Sequence, residues 1–298
     1  MKRILALILS IVSVMTACFC MTGCKKDEKL AMGKEMVKYA SQLDAIRALD
    51  RGDVHAIVID SIMAGYYSNV GDYAGKISVV PDLILAQESY GIAAKKGNYS
   101  LVREINDALI NLTKNGTTAT IANEFGVADS LAIDSSIETN PISEEQASDN
   151  GFQTILNSNS KKIVIGITIF APIAYYKSNS NIGEQSNYTG FDIELARAAV
   201  AYLSEKYQTN LNIEFSVISW KAKEALLENG TIHLVWNGMT ITPEREENMC
   251  ISLPYLYNKQ VAVVKTEKVN DYSDKASFKN AAIGVESGSA GQSVVKGK

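Results

Sequence analysis

The stretch Trp236-Asn237-Gly238-Met239-Thr240-Ile241-Thr242-Pro243-Glu244-Arg245 constrains this chain more than any other. Before it, Thr231-Ile232-His233-Leu234-Val235-Trp236 reads as a short buried strand. After Gly238 the polarity rises, and Thr242-Pro243-Glu244 has the order of a helix start: a hydroxyl N-cap, Pro at the first helical position and an acid in the first turn. Arg245 falls in that same turn, where the helix macrodipole disfavours a cation. A cation placed against the local rule beside free backbone N–H groups suits an anion-holding role. The competing reading is a surface Arg paired with Glu244 or Glu246.

A weak internal repeat extends the strand–turn–helix reading to a second unit. Helical periodicity in the later part of residues 34–49 stops at Gly52, and His55-Ala56-Ile57-Val58-Ile59 follows as a β-rich run ending at Asp60. Residues 225–236 repeat that order, with Gly230, His233 and a polar turn at Gly238. Two α/β lobes of related design, each offering its strand ends to a shared cleft, fit the repeat. The two His lack carboxylate or Cys partners at ligand spacing, so a structural role is expected and no metal site.

Gly238-Met239-Thr240-Ile241-Thr242-Pro243-Glu244-Arg245, followed by Ser252-Leu253-Pro254-Tyr255, resembles the ligand-carboxylate segment of the family 3 solute-binding proteins, the extracytoplasmic receptors of polar amino-acid ABC importers. Gly190 with Phe191-Asp192-Ile193-Glu194-Leu195-Ala196 is similar to the family's G-F-D-x-x-L-A segment, and Asp192 is expected there as an N-cap. Lys162-Ile163-Val164-Ile165-Gly166 resembles the usual first strand, and Lys259 to Val264 the first crossover strand. Ala282 to Ser289 resembles the start of the second lobe. Short strands expected at 77–80 and 91–94, with helices at 100–111 and 117–125, resemble the family's back half, which here comes first.

That order implies a type II periplasmic-binding-protein-like α/β fold, two-lobed, hinged on two crossover strands and circularly permuted. The corresponding division is 35–93 (lobe B, first part), 94–127 (lobe A, C-terminal helices), 128–160 (linker), 161–267 (lobe A, main part) and 268–298 (lobe B, second part). The linker is rich in Ser, Asn, Glu, Asp and Thr, which reads as a solvated tether with one short helix near 152–156. A chain carrying the end of one copy and the start of another, swapped between protomers, or a gene-model artefact, would give the same order.

The N-terminus reads as an export signal. Lys2 and Arg3 precede an apolar run ending Met21-Thr22-Gly23-Cys24, which resembles a lipobox with Cys24 lipidated. Residues 1–23 would leave as a signal peptide and 24–34 would form a tether; an uncleaved membrane anchor is the alternative. Either way the chain lies in the cell envelope, at the outer face of the cytoplasmic membrane or in the periplasm. Without the signal, 27 basic residues face 33 acidic ones, and that net charge of −6 without a basic patch argues against nucleic acid. Only Cys250 then remains, so no disulfide framework is available.

The resemblance implies an amino-acid ligand, an ABC permease as partner, a membrane reached through the lipid anchor, and neither cofactor nor catalysis. It implies Arg245, Thr240 and Gly238 around the ligand carboxylate, Asp60 at the ammonium, Ser289 from the other lobe and Phe170 against the ligand side chain. From the residues alone, Asp60 and Ser289 read equally as helix caps, and Trp236 equally as pocket wall or core. Tyr175, Glu88 and Tyr90 are weaker wall candidates. The fold also hosts dehydratases of aromatic-acid precursors, for which Glu88 is the one loose acid candidate, and sensor modules without transport.

Overall fold

The computed structural model describes residues 30–298, so the signal, Cys24 and most of the tether lie outside the described residues. The chain begins with β1 (Glu35–Tyr39), α1 (Gln42–Arg51), β2 (Ala56–Asp60), α2 (Ser61–Asn69) and the long β3 (Ile77–Lys95). It continues through α3 (Tyr99–Lys114), α4 (Thr117–Glu124), α5 (Gly151–Asn157), β4 (Lys162–Ile167), β5 (Tyr175–Tyr176), β6 (Tyr188–Thr189), α6 (Phe191–Lys206) and β7 (Asn212–Val217). It ends with α7 (Lys223–Glu228), β8 (Leu234–Thr240), α8 (Pro243–Asn248), β9 (Met249–Ile251), β10 (Leu256–Lys265), β11 (Ala282–Glu286) and α9 (Ala290–Lys296).

The main sheet runs β1-β11-β2-β10-β3-β8-β4-β7, with β9 added to β3. β1, β11 and β2 are mutually parallel, as are β8, β4 and β7. Between the two parallel sets, β10 and β3 run antiparallel to each other and to their outer neighbours. Each parallel set with its helices is one lobe, and the antiparallel pair crosses between them. This is the two-lobed α/β arrangement that the sequence led us to expect. Every residue of β2 and of β8 is buried, as strands covered by helices on both faces require.

Local signals place the helices. Ser41 caps α1 by accepting from the Asp44 N–H at 3.1 Å, and left-handed Gly52 closes it. The helix buries Ala45, Ile46, Ala48 and Leu49 against the sheet. The His just before β2 and the His just before β8, the strand of each parallel set nearest the crossover pair, do the same work twice. His55 donates its N–H to Ala282 O and accepts from Ala282 N, while His233 does so with Val164 O and Val164 N. Each therefore registers its strand against a parallel neighbour.

One strand is unforeseen and two expectations are corrected. Residues 35–39 form a strand ahead of α1, because β11, 247 residues away, supplies the partner that local periodicity cannot reveal. The strands expected at 77–80 and 91–94 are one continuous strand, paired with β10 from Ile77 to Tyr90 and with β8 and β9 beyond it. Residues 128–160 are a packed segment rather than a solvated tether. Ile133, Ile142, Phe152 and Ile155 are buried, Ala132 donates its N–H to Tyr255 O, and the Asp149 carboxylate accepts from the N–H and hydroxyl of Ser100 at 2.7 and 2.6 Å.

Candidate functional site

The carboxyl ends of β2, β8 and β11 and the starts of the helices that follow them converge between the lobes. Asp60, Phe170, Gly238, Thr240, Arg245 and Ser289, all expected at the site, line one small cavity that is partly open to solvent. Trp236 is not in its wall. That indole is 1% exposed and packs edge-on to Tyr255 in the core, so the pocket reading of Trp236 is corrected. Trp220, Thr168, Asn237, Gln42 and Glu286 also line the cavity, and the sequence reading had not placed them there.

Arg245 enters by the route its sequence suggests. Thr242 caps α8 by accepting from the Arg245 N–H at 3.2 Å, with Pro243 at the first helical position. The guanidinium is only 9% exposed. Its Nη1 donates to Thr240 O at 2.7 Å and its Nη2 to Gly288 O, in the opposite lobe, at 3.3 Å. Neither Glu244 nor Glu246 pairs with it: among the described residues no carboxylate lies within 4 Å. Burial lowers its pKa, yet an Arg stays charged in any protein setting. A buried, forked cation thus faces the cavity without an anion.

Gly238 turns the strand beneath it. Its φ of +60° favours Gly, and a Cβ there would come within 2.8 Å of Phe170 Cε1. Its N–H donates to Asp192 Oδ2 at 2.8 Å, and Tyr255 Oη donates to the same oxygen at 2.7 Å. Asp192 is therefore not the cap expected from sequence. Gly190 occupies the cap position, and the Asp192 carboxylate anchors the site loop from within α6. Full burial pushes that carboxyl up to about 7, against the two hydrogen bonds that favour its charge.

Opposite Arg245 sits a carboxylate cluster. Asp60 stands at the N-cap position of α2 but makes no capping bond. Its Oδ1 instead accepts from Tyr90 Oη at 2.8 Å, Asn258 Nδ2 at 2.5 Å and Gln260 Nε2 at 2.9 Å, and its Oδ2 accepts from Gln42 Nε2. Glu88, on β3, accepts from the Thr240 hydroxyl, Asn258 and Gln260, tying the two crossover strands together. Burial, then the nearby Asp60, raises Glu88 to about 8. It borders a neighbouring groove rather than the central cavity, and Tyr90 is fully buried behind Asp60.

Ser289 is the cap of α9. Its hydroxyl accepts from Gln292 N at 3.2 Å and donates to Glu286 O at 2.9 Å while still edging the cavity. Glu286 itself was read only as part of a strand. The available signal was an acid closing a buried β-run beside a Gly-containing loop, the same pattern that marked Asp60. Tyr175 lies in a larger adjoining groove, which shares Thr168 and Ile169 with the cavity.

With that geometry in place, the chain was compared with known proteins. Residues 163–286 match the sequence model of the bacterial extracellular solute-binding proteins, family 3. The chain is 29% identical over 140 residues to the "ABC transporter arginine-binding protein 1" of Escherichia coli (strain K12), covering 47% of this chain and 51% of that protein. It is 32% identical over 122 residues to a "Probable histidine-binding protein" of Neisseria gonorrhoeae, covering 41% of each. The matched region thus spans about half the length of these relatives or less. Among solved structures, a polar amino acid ABC uptake transporter substrate binding protein from Streptococcus thermophilus is 38% identical over 34% of this chain and 33% of that one, with a TM-score of 0.27.

Proposed function

We propose that this chain, whose residues 163–286 match the bacterial extracellular solute-binding proteins of family 3, is an extracytoplasmic receptor that binds an amino acid between its lobes and delivers it to an ABC importer. The observation that carries this reading is Arg245, a buried guanidinium that lines the interlobe cavity and lacks a carboxylate partner among the described residues. An α-carboxylate fits that fork, with the Thr240 hydroxyl beside it. Asp60 across the cavity receives the α-ammonium, Phe170 and Trp220 form apolar wall, and Gly238 lets the strand approach the ligand closely.

The two crossover strands make the hinge on which the lobes close. Glu88, Asn258 and Gln260 couple that hinge to Asp60, so ligand at Asp60 is sensed where the lobes pivot. The chain order is read as a circular permutation: β3 and the following helices precede β4, and β1 and β11 complete one lobe from opposite ends of the chain. A lipid anchor at Cys24 would hold the receptor at the membrane beside its permease. No helix among the described residues is long and apolar enough to cross a membrane.

Thermal unfolding of the purified protein against a panel of amino acids tests the reading. A ligand at a hundred times its Kd adds about 2.7 kcal/mol, a shift of several degrees. A saturable shift with one or a few amino acids is expected, and its absence across the panel would overturn the assignment. Turnover of a prephenate-like substrate would instead support the dehydratase alternative. A gene neighbourhood without permease and ATPase would support a sensor.

A further inference from the structure

The carboxylates of the cavity outnumber what an ordinary zwitterion can satisfy. Each oxygen of an ionised carboxylate offers about two acceptor positions; Asp60 Oδ1 already takes three protein donors and Oδ2 one, so room for one ligand N–H remains on Oδ2 alone. Glu286, which ends β11 as Asp60 ends the neighbouring parallel β2, is 3% exposed and lines the same cavity. Its Oε1 is buried without a hydrogen-bond partner. A buried, unpartnered carboxylate oxygen is costly unless something fills its place.

Among the described residues no cation forms an ion pair with Glu286. Lys223, the nearest candidate on α7, donates to Trp220 O at 3.4 Å and pairs with Glu224 at 3.8 Å, and it has no ion pair with Glu286. Arg245 is committed to the carboxylate end of the cavity. With α-carboxylate on Arg245 and α-ammonium on Asp60, one carboxyl group facing the cavity is left over. We propose that Glu286 is a specificity-determining residue: its free oxygen accepts from a second cationic N–H group on the ligand, in exchange for a proton, and so selects basic amino acids. This inference rests on the amino-acid reading above.

The electrostatics agree. Burial first, then the charge of Asp60, pushes Glu286 up to about 8; Lys223, the Gln42 amide and Arg245 oppose this without cancelling it. Near neutral pH the empty site therefore holds a proton there, and a cationic ligand releases it to solvent.

The test is calorimetric titration of the purified protein with arginine, citrulline, lysine and norleucine near pH 7, in two buffers of different ionisation enthalpy. Arginine over citrulline and lysine over norleucine should be favoured by about tenfold or more, the size of one charge-assisted contact. The basic ligands should release up to about one proton per site and the neutral ones none. In Glu286→Gln both the preference and the proton release should disappear. Citrulline binding as tightly as arginine, no proton release, or an unchanged preference in Glu286→Gln would each overturn the role given to Glu286. The first two results need no variant, so a poorly folded substitution cannot mask the answer. Neutral binding without basic preference would sink this inference alone; silence toward every amino acid would sink the receptor reading with it.

Discussion

Arg245 Nη2 donates to the Gly288 carbonyl oxygen at 3.3 Å, and this bond crosses from one lobe to the other. The guanidinium that is suited to a ligand carboxylate is thus also a contact between the lobes. In the proposed receptor, ligand capture and lobe contact would use the same side chain, and the cost of losing it should fall mainly on binding.

Arg245→Ala should weaken ligand binding by ~2–5 kcal/mol, the usual cost of removing one partner of a buried charge-assisted pair. Arg245→Lys should recover only part of that, because an ammonium lacks the planar fork that reaches Thr240 O and the ligand together. Titration calorimetry reads both, and an unchanged Kd in the Ala variant would remove Arg245 from the site.

Gly288→Ala should reduce affinity by more than its effect on folding accounts for. Its φ is +80°, and a Cβ there would stand 3.2 Å from the Lys221 backbone of the other lobe. The backbone strain costs roughly 1 kcal/mol of stability. The clash acts only when the lobes are together, so closure bears it. Comparing the fall in Tm with the rise in Kd separates the two, and equal free-energy losses would count against the closure role.

The ligand-free protein should become less stable as pH rises from about 5 to about 8. Asp192, Glu88 and Glu286 are held at about 7, 8 and 8, with burial the largest cause in each. Unfolded, these carboxyls ionise near pH 4. Between those values the folded state keeps protons that the unfolded state has lost, so their stabilisation is full below pH 4 and lost as pH climbs through the folded values. Asp192→Asn should flatten the part of the Tm profile near pH 7. A Tm that rises across this window in the parent protein would contradict the buried, protonated cluster.

Residues 128–160 should resist proteolysis in the folded protein despite their polar composition, because Asp149, Asn140 and the buried Ile133, Ile142, Phe152 and Ile155 tie them down. Asp149→Ala removes the acceptor for Ser100 N, Ser100 Oγ and Gly151 N and should cost about 1–2 kcal/mol, as loss of a helix cap does. Rapid cleavage of the segment in the intact parent protein would restore the picture of a loose tether.

Sequence alone determined whatever neighbours along the chain could encode. The Thr242 cap with Pro243 and Arg245, the Gly52 stop of α1, and β2 ending in Asp60 were all legible, because caps, left-handed glycines and apolar runs act within a turn or a strand. What lies far apart in sequence was not. Asp192 looked like a cap until its acceptor oxygen met Gly238, 46 residues on, and the pairing that makes β3 one strand comes from β10. Trp236 and Trp220 are told apart for the same reason: only the packed layers decide which indole faces the core and which the cavity. Glu286 gave no strong local sign, since its character comes from desolvation and from Asp60 on a neighbouring strand 226 residues earlier. Hydrogen-bond satisfaction and burial are sums over contacts that only the folded chain assembles, and those sums set the chemistry of this site.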